Sequence, residues 1–219
     1  MDYKYGPQRN IKETVMSKKY VNSCIDRVIV TGTVSSIRED LPFVSSKNMN
    51  LVISTARKAP SAAKDIINVV VNKNFMKNIK VGSYIKVLGS IQTKMIDGHL
   101  YIYVYTYDIT LIDNHDVADI DQANFEGYIC KKPVLRSTPL TNRKICDFVL
   151  AVNDRGYSYY IPCICWGNNA KKMARNVVGD KVFVTGRIQS REYNKKEEIN
   201  IAHEVSVFYI QSASYDSKN

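Results

Sequence analysis

A gapless internal repeat constrains this chain more than any other feature: KVGSYIKVLGSIQTK at Lys80–Lys94 aligns with VVGDKVFVTGRIQSR at Val177–Arg191, at an offset of 97 residues. Self-similarity at one long period means two copies of one folding unit. The repeat extends backward, where VIVTGTV at Val28–Val34 resembles ANFEGYI at Ala123–Ile129. It is expected to extend forward as well, with Asp108, Ile109 and Leu111 answering Glu204, Val205 and Val207. Each copy is mostly alternating strand, with glycine where a strand must bend or meet a neighbour closely, which is the pattern of a small barrel.

The punctuation between these patterns sets expected boundaries. Residues 1–20 read as a basic leader, 21–112 as the first barrel, 113–122 as a linker, 123–210 as the second barrel and 211–219 as a frayed tail. The linker falls in IDNHDVADIDQ, which is acidic, polar and free of strand periodicity. In the second copy NNAKKMARNVVG has helical spacing over about two to three turns, ending before Gly179 and placed to cap the barrel bottom. The fold class expected is therefore all-β with one short helix, as two tandem five-stranded barrels.

Charge narrows the partner. With 31 Lys and Arg against 21 Asp and Glu, the formal charge is +10, which suits a polyanion or an acidic membrane surface. The excess is spread along the chain, so a merely basic soluble surface is the plain alternative. No window has the ~18 consecutive apolar residues of a membrane span, and the amino terminus lacks a secretory hydrophobic stretch, so a cytoplasmic protein with no membrane partner is expected. Five cysteines without a CxxC pair and three histidines without ligand spacing point to neither a disulfide framework nor a metal site. Clustered carboxylates with a partnered arginine, a His–Cys pair and a glycine-rich phosphate loop are all missing, so no cofactor and no catalysis are expected.

The second copy carries the chemistry. In KVFVTGRIQSREY, strand alternation puts Val182, Val184 and Ile188 on one face and Lys181, Phe183, Thr185, Arg187, Gln189, Arg191 and Tyr193 on the other. In YYIPCICWG, Tyr160 and Trp166 share a side, with Ile161, Cys163 and Cys165 opposite. Rings beside cations fit unstacked bases and their phosphates. The alternative is that Tyr160 and Trp166 close the end of a barrel as packing aromatics. Pro162 has no amide to donate, so it must lie at an edge or a bulge.

These motifs resemble the bacterial single-stranded DNA-binding protein family. FEGYICKKPVLRSTPLTNRKICDFVLAVN is similar to the family's first two strands, IPCICWGNNAKKMA to its third strand and helix, and GDKVFVTGRIQSREY to its fourth strand, in the correct order. The resemblance implies an oligonucleotide-binding (OB) fold, a five-stranded barrel with a helix between strands three and four. It implies stacking aromatics at Tyr157, Tyr160, Trp166 and Tyr193. Arg187, Gln189 and Arg191 fall on the phosphate-facing strand and Lys195 and Lys196 in the following hairpin loop, with Arg155, Arg143, Lys144, Lys171 and Lys172 either extending the path or, as the favoured reading of each taken singly, forming solvated surface.

The function so implied is sequence-independent coating of single-stranded DNA during replication, recombination or repair, in the nucleoid, with RNA open as an alternative ligand and replication or conjugation proteins as further partners. Because family members present four barrels together, a homodimer is expected. The alternative is an accessory primosome or helicase-processivity factor of a plasmid, phage or conjugative element, which fits an ending in QSASYDSKN rather than in an acidic, hydrophobic tip. In the first copy Asn72, Ile66 and Ile96 stand where the second has Trp166, Tyr160 and Tyr193, which implies a weaker binder or an assembly and spacing module. Tyr101, Tyr103, Tyr105 and Tyr107 line one strand face there, either as platforms or as cover for a flank or interface.

Overall fold

The computed structural model describes residues 26–39, 41–58, 60–113, 118–139, 141–195 and 198–212, with the backbone alone at 194, 195, 198 and 199. The elements are β1 (Asp26–Arg38), β2 (Asn48–Ala56), β3 (Lys64–Asn72), β4 (Tyr84–Ile96), β5 (His99–Leu111), β6 (Asp121–Ile129), β7 (Val134–Ser137), β8 (Lys144–Asp154), β9 (Tyr157–Trp166), α1 (Gly167–Met173), β10 (Lys181–Lys195) and β11 (Glu198–Ser212). They form one sheet in the order β2-β3-β5-β4-β1-β6-β10-β11-β9-β8-β7. Extra pairings of β2 with β1 and of β6 with β8 close each end into a five-stranded barrel. The tandem OB arrangement expected from the sequence is present, with α1 between the third and fourth strands of the second barrel.

The barrels are joined by backbone. β1 and β6 pair antiparallel from Asp26↔Phe125 to Val30↔Asp121, centred on Val28↔Ala123, so a local two-fold relates the copies. Val28, Val30, Ala123 and Phe125 are buried in one continuous core fed by the alternating β-branched residues of all the barrel strands. Under the second barrel α1 inserts Ala170 and Met173. Its end is fastened by Asn176, whose amide donates to the carbonyls of Lys172 and Met173, each at 3.2 Å. The first barrel has only a 3₁₀ turn, Lys73–Phe75, at the same point.

The repeat glycines are steric necessities. A Cβ on Gly89 would lie 2.3 Å from the Tyr105 carbonyl oxygen, and one on Gly186 would lie 2.7 Å from that of Ser206. Both glycines sit at matching bulges, Leu88/Gly89 and Thr185/Gly186.

Three sequence expectations are revised. The forward alignment shifts, because Ile91 pairs with Val104 and Ile188 with Val205. The second hairpin is longer, closing at Lys195↔Glu198 where the first closes at Ile96↔His99, so Asp108 answers Tyr209 rather than Glu204. Part of the connector is docked: the Ile120 amide donates to Thr31 Oγ1 at 2.7 Å, Asp119 accepts from the Ala56 amide at 2.5 Å, and Asp121 and Gln122 already belong to β6. Gln211 and Ser212 complete β11 rather than joining a tail. The expected leader, residues 1–20, and positions 213–219 lie outside the described residues. Pro162 lies opposite Val149 of β8, one residue before β9 begins to pair with β11 at Cys163, so its missing amide falls on an edge.

Candidate nucleic-acid interface

Period-two burial along β9 turns Ile161, Cys163 and Cys165 into the core and leaves Tyr160 54% exposed, with Trp166 half-buried on the same side. Tyr157, at the turn that opens β9, is 69% exposed. The Arg143 guanidinium sits over the Trp166 ring, 5.0 Å from its centroid, so one face of the indole is covered by a cation. Phe208 adds a ring on the side of β11 opposite the buried Val205 and Val207. It is the residue skipped by the β10–β11 register and is 58% exposed. The parallel pairing of β9 with β11 ends at Cys165↔Val207, one residue short of both Trp166 and Phe208, so the two stand at neighbouring positions. The α1 residue Asn169 fixes this strand by donating to the Phe208 carbonyl at 2.8 Å.

The basic face of β10 is divided. Arg191 keeps 64% of its side chain exposed, with Glu204 3.9 Å away, and Tyr193 is half-buried. Arg187 does not face solvent as a free cation. Its guanidinium pairs with Asp65 of β3, in the other barrel, and donates to Gln189 Oε1 at 3.0 Å. Gln189 in turn donates to Glu204 at 2.6 Å. Asp65 is almost fully buried and also accepts from Arg57 at 2.7 and 2.9 Å and from the Ser190 amide at 2.8 Å. Arg187 is thus engaged across the seam and Gln189 within its own barrel, on Arg187 and Glu204. No sequence pattern announces Asp65 as the partner, because it lies 122 residues from Arg187.

Arg155, with its backbone at φ 50°, is likewise drawn to the first barrel, its guanidinium 4.9 Å from the Tyr107 ring centroid. In the tyrosine row of β5, Phe43 stacks on Tyr103 at 5.0 Å and tilts against Tyr101 at 4.9 Å, leaving Tyr103 8% exposed while Tyr107 keeps 39%. Lys144 donates to Ser137 at 2.8 Å and Lys172 to the Ile210 carbonyl at 2.8 Å. Lys196 lies outside the described residues and Lys195 is described in backbone only.

The seam that positions this face repeats one contact. The Ile66 amide donates to Ser190 Oγ at 2.8 Å, and at the equivalent place the Tyr160 amide donates to Thr93 Oγ1 at 3.1 Å. Each barrel's long hairpin thus grips the third strand of the other. Beside these contacts, His203 Nε2 lies 2.8 Å from the Ile66 carbonyl; burial lowers this imidazole's pKa, so the neutral ring donates there.

Fold and face together define a tandem OB-fold protein whose second barrel presents aromatics beside arginines. Residues 121–212 match the model of the Single-strand binding protein family. The single-stranded DNA-binding protein of Clostridium tetani is 37% identical over 79 residues, 32% of this chain and 54% of that protein. Single-stranded DNA-binding protein 1 of Clostridium acetobutylicum is 33% identical over 75 residues, 31% of this chain and 68% of that protein. The chain spans about half the length of the Clostridium tetani relative. The crystal structure of wild-type single-stranded DNA binding protein from Thermus aquaticus superposes with a TM-score of 0.67 at 16% identity, over 87% of this chain and 93% of that one, a likeness of fold. The chain belongs to the single-strand binding protein family.

Proposed function

We propose that this protein coats single-stranded DNA with little sequence preference, as a binding protein without catalysis, during replication, recombination or repair. The observation that carries the reading is the pair Tyr160 and Trp166, exposed and half-buried on the side of β9 opposite the core residues Ile161, Cys163 and Cys165, with Tyr157 exposed at the turn that opens the strand. Rings held by a rigid strand accept the π-face of any base, at about 1–3 kcal/mol each, and Arg191 offers a charge to the phosphates beside them. Tyr157 and Tyr160 are 69% and 54% exposed, which favours platforms over packing for these two.

The same reading includes a homodimer. The outer faces of β5, β4, β1, β6, β10 and β11 run as one six-stranded surface through the β1–β6 junction, and it carries exposed Tyr128 and Tyr209. A self-complementary surface on a two-fold axis suits an isologous contact.

Trp166 is the sole tryptophan, so titration with oligo(dT) tests the function directly. Binding should quench its fluorescence and weaken steeply with salt. A folded chain whose emission and mobility are both unchanged by oligo(dT) at low salt would sink the proposal. Light scattering then measures the mass of the free protein, with a monomer ruling out the dimer.

A further inference from the structure

The binding proposed for the second barrel makes no use of its cysteines, and Cys130, Cys146, Cys163 and Cys165 are all free thiols. Two of them meet face to face. Cys146 of β8 and Cys165 of β9 are directly opposite in the antiparallel register, both on the core side and both 0% exposed. The Cys165 Sγ lies 3.8 Å from the Cys146 carbonyl oxygen, and the two thiols are hydrogen-bonded to each other. We propose that Cys146 and Cys165 form an oxidant-sensitive dithiol, which a peroxide closes into a disulfide that staples β8 to β9 beneath Trp166.

The backbone already permits the bond. Opposite residues of antiparallel strands have Cα atoms ~4.5 or ~5.5 Å apart, and both values fall within the ~4.4–6.8 Å that a disulfide spans. The other cysteines are engaged elsewhere. Cys163 stands opposite Phe148 and its thiol turns to the Ile161 carbonyl at 3.5 Å, while the Cys130 thiol donates to the Val149 carbonyl at 3.3 Å. Cys163 and Cys165 share a face of one strand, where side chains repeat every ~6.5 Å, too far for the ~3.5–4.5 Å between bridged Cβ atoms.

The pair has an attacking and a resolving member. The Cys165 S–H donates to Cys146, which favours the Cys146 thiolate and lowers its pKa, while the same bond and burial raise that of Cys165. The Cys146 thiolate attacks one oxygen of hydrogen peroxide. The O–O bond breaks, the far oxygen leaves as hydroxide and takes up a proton, and Cys146 becomes a sulfenic acid. Cys165 then attacks that sulfur, the S–S bond forms, and the hydroxyl departs with the Cys165 proton as water. Two thiols lose two electrons and two protons, and the peroxide is reduced to two waters.

The edge of the sheet is the entrance. Leu135 of β7 stands opposite Cys146 on the same face and is 45% exposed, and β7 is a four-residue strand that pairs with β8 alone. So short an edge opens locally more readily than the barrel unfolds, which admits a molecule the size of peroxide. Trp166 follows Cys165 and points to the opposite face, so the bond braces the strand under the ring without touching it. It joins residues 19 apart in the chain, which restricts the unfolded state.

Full-length protein treated with hydrogen peroxide, then alkylated and digested with trypsin without reduction, tests the site. The expected product links Ile145–Arg155 to Gly156–Lys171, with fragmentation placing the bond on Cys165 rather than Cys163. The oxidised protein should melt several degrees above the reduced one, and dithiothreitol should reverse the gain. Folded protein whose Cys146 remains a thiol, or is carried on to the sulfinic acid, or whose disulfide joins any other pair, overturns the dithiol. Cross-linked protein that melts no higher overturns the staple. Cys163→Ala should cross-link as wild type does and Cys146→Ser should not; if Cys146→Ser misfolds, the wild-type peptide map decides alone. None of these readouts involves nucleic acid, so the dithiol stands or falls independently of the single-strand reading.

Discussion

Arg187 of β10 and Asp65 of β3 are ion-paired across the seam between the two barrels, with the Asp65 side chain 2% exposed and that of Arg187 27%. A carboxylate this deep, holding two guanidiniums and a backbone amide, orients one barrel on the other. Asp65→Ala leaves Arg57 and Arg187 without their counter-charge and should cost about 3–5 kcal/mol in denaturant melts. Arg187→Ala should destabilise as well while leaving the salt dependence of DNA binding near wild type. Arg191→Ala, by contrast, should lower the slope of log K against log salt by about 0.7, the share of one phosphate contact on a single strand. A reversed pattern of slopes would return Arg187 to the phosphate path.

Stacking makes a separable prediction. Tyr160→Ala, Trp166→Ala and Phe208→Ala should each weaken oligo(dT) binding by about 1–3 kcal/mol. Tyr160 and Phe208 are more than half exposed, so their removal should leave stability within about 0.5 kcal/mol of wild type. Equilibrium titrations paired with thermal melts read both quantities. A variant that melts early without losing affinity marks its ring as packing.

Much of this was legible in the sequence because barrel strands write their two faces at period two. Val182, Val184 and Ile188 inward, and Tyr160 and Trp166 outward, follow from alternation alone, and the glycine pairs follow from the repeat. What alternation cannot encode is which outward residue meets another part of the chain. Arg187, Gln189 and Arg191 share one face, yet only Arg191 stays open, because β3 delivers Asp65 and β11 delivers Glu204. At the β11 bulge the period itself breaks: Phe208 and Tyr209 are exposed in succession and Ile210 turns inward.

The bulge glycines are testable in the same spirit. Gly186→Ala drives a methyl into the Ser206 carbonyl, a backbone atom that cannot rotate away, and should cost about 1–3 kcal/mol. Gly89→Ala should do at least as much, its nearest carbonyl being closer still. If Gly186→Ala melts like wild type, the close approach of β10 to β11 is not required.

Asp26 and Asp121 start the two strands that join the barrels, and each spends one oxygen on a single amide, that of Ile91 or Ile188, at 3.0 Å. The other oxygen, Oδ2, is buried with no hydrogen-bond partner in either residue. Burial, outweighing these amide bonds, raises both carboxyls from 3.8 to about 7; Asp154 adds to the rise at Asp26, while at Asp121 Asp65 raises and Arg187 and Arg57 oppose. Between about pH 4 and 7 the folded chain thus holds protons that the unfolded chain releases. Stability from these two groups falls as pH rises through that window and levels off above about 7, by on the order of a few kcal/mol per carboxyl. Asp26→Asn with Asp121→Asn keeps the acceptor oxygens and removes the ionisation. The double variant should match wild type only at or below about pH 4, pull ahead of it as pH rises, and melt several degrees higher at pH 8. Melting curves for the two proteins that stay parallel from pH 5 to 8 would show that these carboxyls remain charged throughout.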